Sequence, residues 1–164
     1  MLPDFSNPGI ALFYVVFFVG LPLAAWFGGA PERWGVAAFT GMLIVQALPY
    51  GTVVDPVFHS VDLVLLTSDT LAFAAFFTIA LNARRLWPLF AASLQLISVL
   101  GHFARGVTDI IGFSYALLNN VPTTLVLVLV LVGAVMHQLR LRRRGEDQDW
   151  VPFKRYAEFR ELAT

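Results

Sequence analysis

The chain has 164 residues, of which 58% are hydrophobic and only 13% are charged, and it has no formal net charge at pH 7. Soluble domains average about 45–50% apolar and about 25% charged residues, so this composition excludes an ordinary soluble domain and predicts an integral membrane protein built as one bundle. The chain contains no cysteine, which excludes disulfides and thiolate metal sites, and it carries no nucleotide-binding or hydrolase motif.

A transmembrane helix needs about 17–25 mostly apolar residues, and five stretches of the chain satisfy this. In chain order they are approximately 10–27, 34–50, 61–81, 88–104 and 113–139. The first ten residues lack Lys and Arg, so the first stretch is expected to be a retained helix and not a signal peptide. The predicted fold is all-α, with a five-span transmembrane domain over 1–139 and a basic, amphipathic tail over 140–164.

Basic residues are concentrated on one side of this five-span arrangement. Of the 11 Lys and Arg residues, only Arg105 falls on the side opposite the C-terminus. The positive-inside rule therefore predicts an external N-terminus and a cytoplasmic C-terminus. Arg84 and Arg85, in the turn between the third and fourth stretches, are expected to snorkel and to fix this topology; phosphate binding is the less favoured alternative. The basic run 140–144 is expected to contact anionic lipid.

A carboxylate interrupts the third apolar stretch at Asp69. An acid at membrane depth costs about 2.5–3.5 kcal/mol on insertion scales, so such residues usually face protein or water and have a partner. Counting residues outward from each turn, with sequential neighbours packed together, places His102 at the same depth. The residues at this depth form a polar layer, and a polar face of the fourth stretch leads into it. Together they give the candidate ligand residues Asp69, His102, Gln46, Gln95, Ser98, Asn119 and Asn120.

Four further polar residues are predicted at the external rim: His59, Asp62, Arg105 and Asp109. His59 and Asp62 have a usable spacing for a divalent cation, but no third strong ligand is evident, so no metal site is predicted. His102 and His137 lie at different depths, which excludes a bis-histidine haem, and His137 is expected at the membrane interface. The sequence identifies no cofactor.

Three roles remain open for Asp69 and His102. The pair is a structural lock between two helices, part of a ligand pocket that opens outward, or a step on a proton or ion path. A structural lock requires no ligand, and interhelical polar contacts of this kind are common in membrane proteins. The residue types by themselves do not decide among the three.

Aromatic residues recur every three positions in the tail, at Trp150, Phe153, Tyr156 and Phe159, with basic residues between them. This pattern predicts a short amphipathic segment on the cytoplasmic membrane face. The alternative is that the same aromatic residues dock the tail onto a partner subunit.

The run from Asp62 to Arg105 resembles that of small uncharacterised polytopic inner-membrane proteins of bacteria. The resemblance is carried by Asp62 and Asp69, by the sequence Arg85-Leu86-Trp87-Pro88, and by Gln95 and His102. It implies a multi-pass location in the bacterial inner (plasma) membrane and brings no activity with it.

The favoured function is a non-enzymatic accessory or interaction subunit of a larger inner-membrane complex. The chain is small, has no recognisable catalytic set, and offers a lipid-like surface at 124–132 and small residues at 24–29 that permit close helix contact. The expected partners are the lipid bilayer and other membrane subunits or a second copy, and no nucleic acid. The alternatives are a ligand-binding transporter or sensor centred on Asp69 and His102, and a membrane enzyme acting on a lipid.

Overall fold

Helices make up almost all of the chain that the structure describes. The structure is a computed structural model and describes residues 13–47, 63–107 and 112–151, apart from the side chains of 105–107 and 112–119. Within these residues there is no β-strand beyond one isolated bridge. The helices are α1 (Phe13–Phe27), α2 (Ala30–Ala47), α3 (Leu63–Asn82), α4 (Trp87–Val107) and α5 (Gly112–Arg144). The all-α prediction is confirmed, and one described helix overlaps each predicted stretch, with bounds that differ by up to five residues.

Three of the described helices are long and apolar enough to cross a membrane: α3, α4 as far as Ala104, and α5 from Asn120. Helix α1 is apolar but shorter, and α2 carries Glu32 and Arg33 near its start. The fold is therefore compatible with the membrane protein that the composition predicts.

Local sequence explains where α1 ends and α2 begins. Gly28 leaves the helix with extended backbone, at φ −80° and ψ 161°. Pro31 suits the first turn of α2, because the N–H that proline lacks has no helical partner there. Glu32 reaches back and accepts the N–H of Gly29 at 3.1 Å, as in a capping box. A Cβ on Gly28 would lie 2.6 Å from the Glu32 side chain, so this close approach requires glycine.

The helices pack largely as neighbours in chain order. Helix α4 packs against α3 and α5, α3 also packs against α2, and α1 contacts both α2 and α5. The core between them is formed by buried apolar residues from all of these helices: Leu21, Ala24, Phe39, Met42, Ala72, Phe76, Ala91, Val126, Leu127 and Val130.

Trp87 fills the space between three helices at one end of this core. Its ring lies between Gly35 of α2 and Gly133 of α5, where an added Cβ would approach the ring to 2.5 and 2.7 Å. The ring also makes an edge contact with Phe76, with centroids 6.3 Å apart. Its indole N–H donates to Glu32 Oε1 at 2.9 Å. Trp87 therefore connects the apolar core to a buried carboxylate.

Candidate functional site

A buried acid–imidazole pair links α3 to α4. Asp69 Oδ2 lies 3.0 Å from His102 Nε2, and the two side chains are 1% and 0% exposed. Counting from the turn places these residues at one depth, and the structure brings them into contact. Such a pair suits cation binding or proton transfer.

His102 belongs to a row of polar side chains along one face of α4. Ser98 and Gln95 precede it by four and seven residues, a spacing that places all three on the same helix face. All three side chains are buried. At about 1.5 Å per residue, the row extends about 10 Å along the helix. We call the set the interior polar row: Gln46, Ser68, Asp69, Gln95, Ser98 and His102.

Helix α2 contributes hydrogen bonds to this row at two points. Gln46 Nε2 donates to Ser68 Oγ at 3.1 Å, and that hydroxyl donates to the carbonyl of Leu65 at 2.8 Å. Met42 Sδ accepts a hydrogen bond from Gln95 Nε2 at 2.9 Å. Gln46 therefore lies at the predicted depth, but its partner is Ser68, which the sequence did not single out.

Three buried oxygens of the row have no hydrogen-bond partner in the part of the chain that the structure describes: Asp69 Oδ1, Gln95 Oε1 and Ser98 Oγ. An amide oxygen or an ionised carboxylate oxygen only accepts hydrogen bonds, so the first two require a donor. Leaving a buried polar atom unpaired costs about 1–3 kcal/mol. The row is therefore suited to a group that donates hydrogen bonds.

Several predicted members do not join the row. Asn120 does not join it, because its side chain is exposed. Five other candidates cannot be placed. The structure does not describe the side chains of Asn119 and Arg105 or the residues His59, Asp62 and Asp109.

An apolar layer separates the interior polar row from the opposite, arginine-rich end of the bundle. On α4, Ala91 lies midway between Gln95 and Trp87, and it is fully buried. Phe39 and Phe76 are fully buried as well, and the second of them contacts Trp87. A dry apolar constriction interrupts water and ion passage. This layer therefore favours a pocket over a continuous path.

A second buried polar cluster, which the sequence analysis did not anticipate, lies at the arginine-rich end. Arg85 is its centre, and its guanidinium lies 3.3 Å from Glu32, 2.8 Å from Asp147 and 2.9 Å from Asp149. Arg85 and Glu32 are almost completely buried. We call the full set the ion cluster: Glu32, Arg85, His137, Arg140, Asp147 and Asp149.

The two aspartates of the ion cluster come from residues 145–151, which we call the return loop. Gly145 has φ 75°, a left-handed conformation that glycine adopts freely, and there the chain leaves α5 and turns back. The N–H of Val151 donates to the carbonyl of Asn82 at 2.8 Å, which attaches the loop to the turn between α3 and α4.

Asp147 accepts hydrogen bonds from three side chains. Arg85 approaches both carboxylate oxygens at 2.8 Å, Arg140 Nε lies 3.0 and 2.9 Å from them, and His137 Nδ1 lies 2.8 Å from Oδ2. Partial burial by itself raises the pKa of Asp147. Hydrogen bonds from Arg140 and His137, with the positive charges of Arg85 and Arg140, outweigh this and hold the pKa below its ordinary value of 3.8.

His137 Nδ1 faces two groups with opposite requirements. It lies 2.8 Å from Asp147 Oδ2 and 3.2 Å from Arg85 Nη2. One ring nitrogen cannot donate to a carboxylate and accept from a guanidinium at the same time. The shorter contact places the proton on Nδ1, because the carboxylate only accepts whereas Arg85 has other acceptors.

The structure corrects one expectation at this end. Arg85 was expected to snorkel, whereas it is buried, at 8% exposure, among three carboxylates. His137, which is predicted at the membrane interface, is buried against the same cluster. Arg84 is exposed and donates to Gln148. Complementary charge is the sequence signal that could have predicted this cluster. The acidic run 145–149 follows the basic end of α5, and its charge is opposite to that of the basic turn between α3 and α4.

Trp150, the first of the predicted docking residues of the tail, packs against the hydrophobic core of its own chain. Its backbone forms the isolated bridge with Ala83. Phe153, Tyr156 and Phe159 lie outside the described residues, so docking of the tail onto a membrane or a partner stays a prediction.

Within the described residues, Glu32, His137 and Asp149 have ligand atoms within 4.8 Å of one another. A carboxylate and imidazole set of this size suits a divalent cation. The guanidinium of Arg85 already lies against Glu32 and Asp149, so a metal ion here would face a fixed positive charge. Arg85 is therefore the cation that these ligands hold in this structure.

No family model, no curated protein and no solved structure matches the chain. The fold and the two buried clusters define a small all-helical protein with a partly unsatisfied polar interior and a tightly paired charged end.

Proposed function

We propose that this chain is a five-span protein of the bacterial inner membrane that binds a small, hydrogen-bond-donating cation in the interior polar row. The observation that carries the proposal is the set of three buried oxygens without a partner among the described residues, next to the Asp69–His102 pair. A protonated amine or ammonium ion supplies both donors and a positive charge. It therefore complements acceptor oxygens beside an aspartate.

The membrane assignment rests on composition and on the outward face of the bundle. Three helices have the required length and hydropathy, and large apolar side chains such as Phe18, Ile44 and Phe103 are exposed. An exposed apolar surface of this kind is costly in water and neutral in lipid. With the basic residues on the cytoplasmic side, the interior polar row lies in the outer half of the membrane.

The accessory-subunit function ranks second, and the same exposed apolar surface supports it as well. The small-residue patch that favoured it is partly used within the chain. Ala24 is buried in the core, Gly28 accommodates Glu32, and a Cβ on Gly29 would lie 2.3 Å from Asp149. Close helix approach at this patch therefore serves the intramolecular ion cluster.

The cation proposal is tested by thermal unfolding of the purified chain in a mild detergent. The probes are ammonium, methylammonium and sodium chloride, with choline chloride holding the ionic strength constant. A ligand that binds only the folded state stabilises it by about 2.7 kcal/mol at about 100 times its Kd. We expect ammonium and methylammonium to raise the melting temperature of the unmodified chain.

Two variants separate a pocket from a structural lock. Asp69→Asn should abolish the ligand-induced rise, whereas Thr70→Ala should keep it, because Thr70 is exposed and bonds only its own helix at Leu66. If neither ammonium nor methylammonium raises the melting temperature of the unmodified chain above its value in sodium chloride, the binding function is wrong. A lowered melting temperature in Asp69→Asn would then identify a lock.

A further inference from the structure

The second buried cluster supports an inference that does not depend on the interior polar row. Asp147 is held as an oxyanion ligand is held: Arg85 binds it through two nitrogens, and Arg140 and His137 each donate to it. Bidentate guanidinium binding of this type is a common way for proteins to recognise carboxylate and phosphate groups. The side chains that hold Asp147 thus form a ready oxyanion pocket.

Asp149 occupies a neighbouring part of the same pocket. Its Oδ1 lies 2.9 Å from Arg85 Nη2, and its Oδ2 accepts the N–H of Ala30 at 3.0 Å, where α2 begins. A helix start adds unpaired N–H groups and a partial positive charge. The two aspartates of the return loop therefore lie side by side against one set of donors.

Charge complementarity indicates what else fits this pocket. Without the return loop, the bundle presents the guanidinium groups of Arg85 and Arg140 and the imidazole of His137 against the single carboxylate of Glu32. The return loop adds two negative charges to this positive pocket. A phosphate monoester carries about −1.5 to −2 at neutral pH, which is the same complement.

Arg140 adds a further donor that the loop leaves unused. Its Nη2 is buried and has no hydrogen-bond partner among the described residues, although its Nε donates to Asp147. A planar carboxylate offers two oxygens, whereas a phosphate group offers three in a tetrahedral arrangement. A phosphate in the position of Asp147 therefore has an oxygen available for this nitrogen.

We propose that Arg85, Arg140, His137 and the N–H of Ala30 form a binding site for a phosphate-class dianion, which the return loop fills with Asp147 and Asp149 as tethered competitors. Binding of the dianion releases the loop from the bundle. The chemistry is shared by two sources, free phosphate and the phosphate of an anionic lipid headgroup at the membrane face.

The tether sets how strong the competition is. A group on a short flexible linker acts at an effective concentration in the millimolar range, so removing both aspartates should tighten phosphate binding about tenfold or more. The loop backbone is also attached to the bundle through Val151 with Asn82, Arg84 with Asp149, and the carbonyl of Gln148 with Arg85. Displacement of the two carboxylates removes the charged contacts of the loop, and loosening is expected first at 146–149, ahead of Trp150, which packs against the core.

The test uses the full chain in phosphatidylcholine nanodiscs. Because the chain has no cysteine, Glu146→Cys supplies a single site for a nitroxide label on an exposed position of the return loop. Inorganic phosphate is titrated against chloride at constant ionic strength, and the mobility of the label is followed by electron paramagnetic resonance. A second arm replaces free phosphate with nanodiscs that contain phosphatidic acid.

We expect phosphate, phosphatidic acid or both to mobilise the label, and the arm that responds identifies the source. Equilibrium dialysis of labelled phosphate should show tighter binding to the double variant Asp147→Asn, Asp149→Asn and weaker binding to Arg140→Gln. Arg142→Gln is the matched control, since Arg142 is exposed on the same helix end.

The proposal is overturned by a label that stays immobile in both arms, or by equal losses of phosphate binding in Arg140→Gln and Arg142→Gln, which indicate unspecific charge attraction. If the double variant fails to fold, the mobility of the label in the otherwise unmodified chain still decides.

Discussion

The interior polar row and the ion cluster are both buried, yet they satisfy their polar groups to very different degrees. In the row, three oxygens lack partners among the described residues, whereas in the ion cluster one nitrogen does, Arg140 Nη2. In the ion cluster, Arg85 contacts three carboxylates, and each of them has at least one further donor. An unsatisfied buried acceptor lowers stability and invites a ligand, whereas a satisfied network holds chain segments together. The comparison indicates that the row is open to a ligand, whereas the ion cluster in this structure fastens the return loop to the bundle.

The largest expected effect tests the fastening role. Arg85→Met removes the central cation and leaves Glu32 and the two loop aspartates without their main partner. Breaking a buried ion pair from one side costs about 3–5 kcal/mol, so the free energy of unfolding in detergent should fall by this amount. Arg84→Met is the control, since Arg84 is exposed, and exposed pairs contribute about 0–1 kcal/mol. Equal losses of unfolding free energy in the two variants would mean that the ion cluster does not stabilise the fold.

A smaller effect is expected at the junction between the core and the ion cluster. Trp87→Phe keeps an aromatic ring between the glycines but removes the N–H that donates to Glu32 at 2.9 Å. A hydrogen bond to a charged group contributes about 1.5–3 kcal/mol, and the unfolding free energy should fall within that range. Trp34→Phe, at an exposed position of α2, should change it little. If Trp87→Phe leaves the free energy of unfolding unchanged, the hydrogen bonds from Arg85 and Gly29 satisfy Glu32 without Trp87.

The pH dependence of the return loop follows from Asp147. Its pKa is lowered in the folded chain, so it contributes stability that is fully present above about pH 4 and is lost as the pH falls through the folded value. A label on the return loop should therefore become mobile in acid. Asp147→Asn should remove this acid-dependent step, and the exposed Glu146 cannot produce it, because the labelled chain carries cysteine at that position. An unchanged acid transition in Asp147→Asn would assign the step to another carboxylate.

The smallest effect on stability is expected in the interior polar row, with the opposite sign. Gln95→Leu removes a buried amide oxygen that has no partner among the described residues. The amide N–H of Gln95 donates to Met42 Sδ, which is only a weak acceptor, so little is lost when the whole amide is replaced with an apolar group of similar size. We expect an unfolding free energy equal to or above that of the unmodified chain, together with a weaker response to ammonium. A clear loss of stability would show that the row fastens the bundle just as the ion cluster does.

The Asp69–His102 contact could be predicted from the sequence for a physical reason. Both residues lie on helices joined by a short turn, so depth follows from counting residues at a constant rise. The same counting identified Gln46 but missed its partner Ser68, because the rotation of α2 about its axis depends on packing and not on depth. It also included Asn120, whose exposed side chain shows that depth without helix phase is insufficient.

Composition and hydrophobic patterning therefore determined that this chain is helical, where its helices run, and which polar residues meet across one turn. Only the tertiary structure decided that the chain after α5 turns back at Gly145 and buries its aspartates against Arg85. The bond between Ala30 and Asp149 joins positions 119 residues apart. Helical periodicity and turn counting are local and carry no information across that separation. Such a contact arises only when the packed helices bring two distant segments of complementary charge to the same end of the bundle.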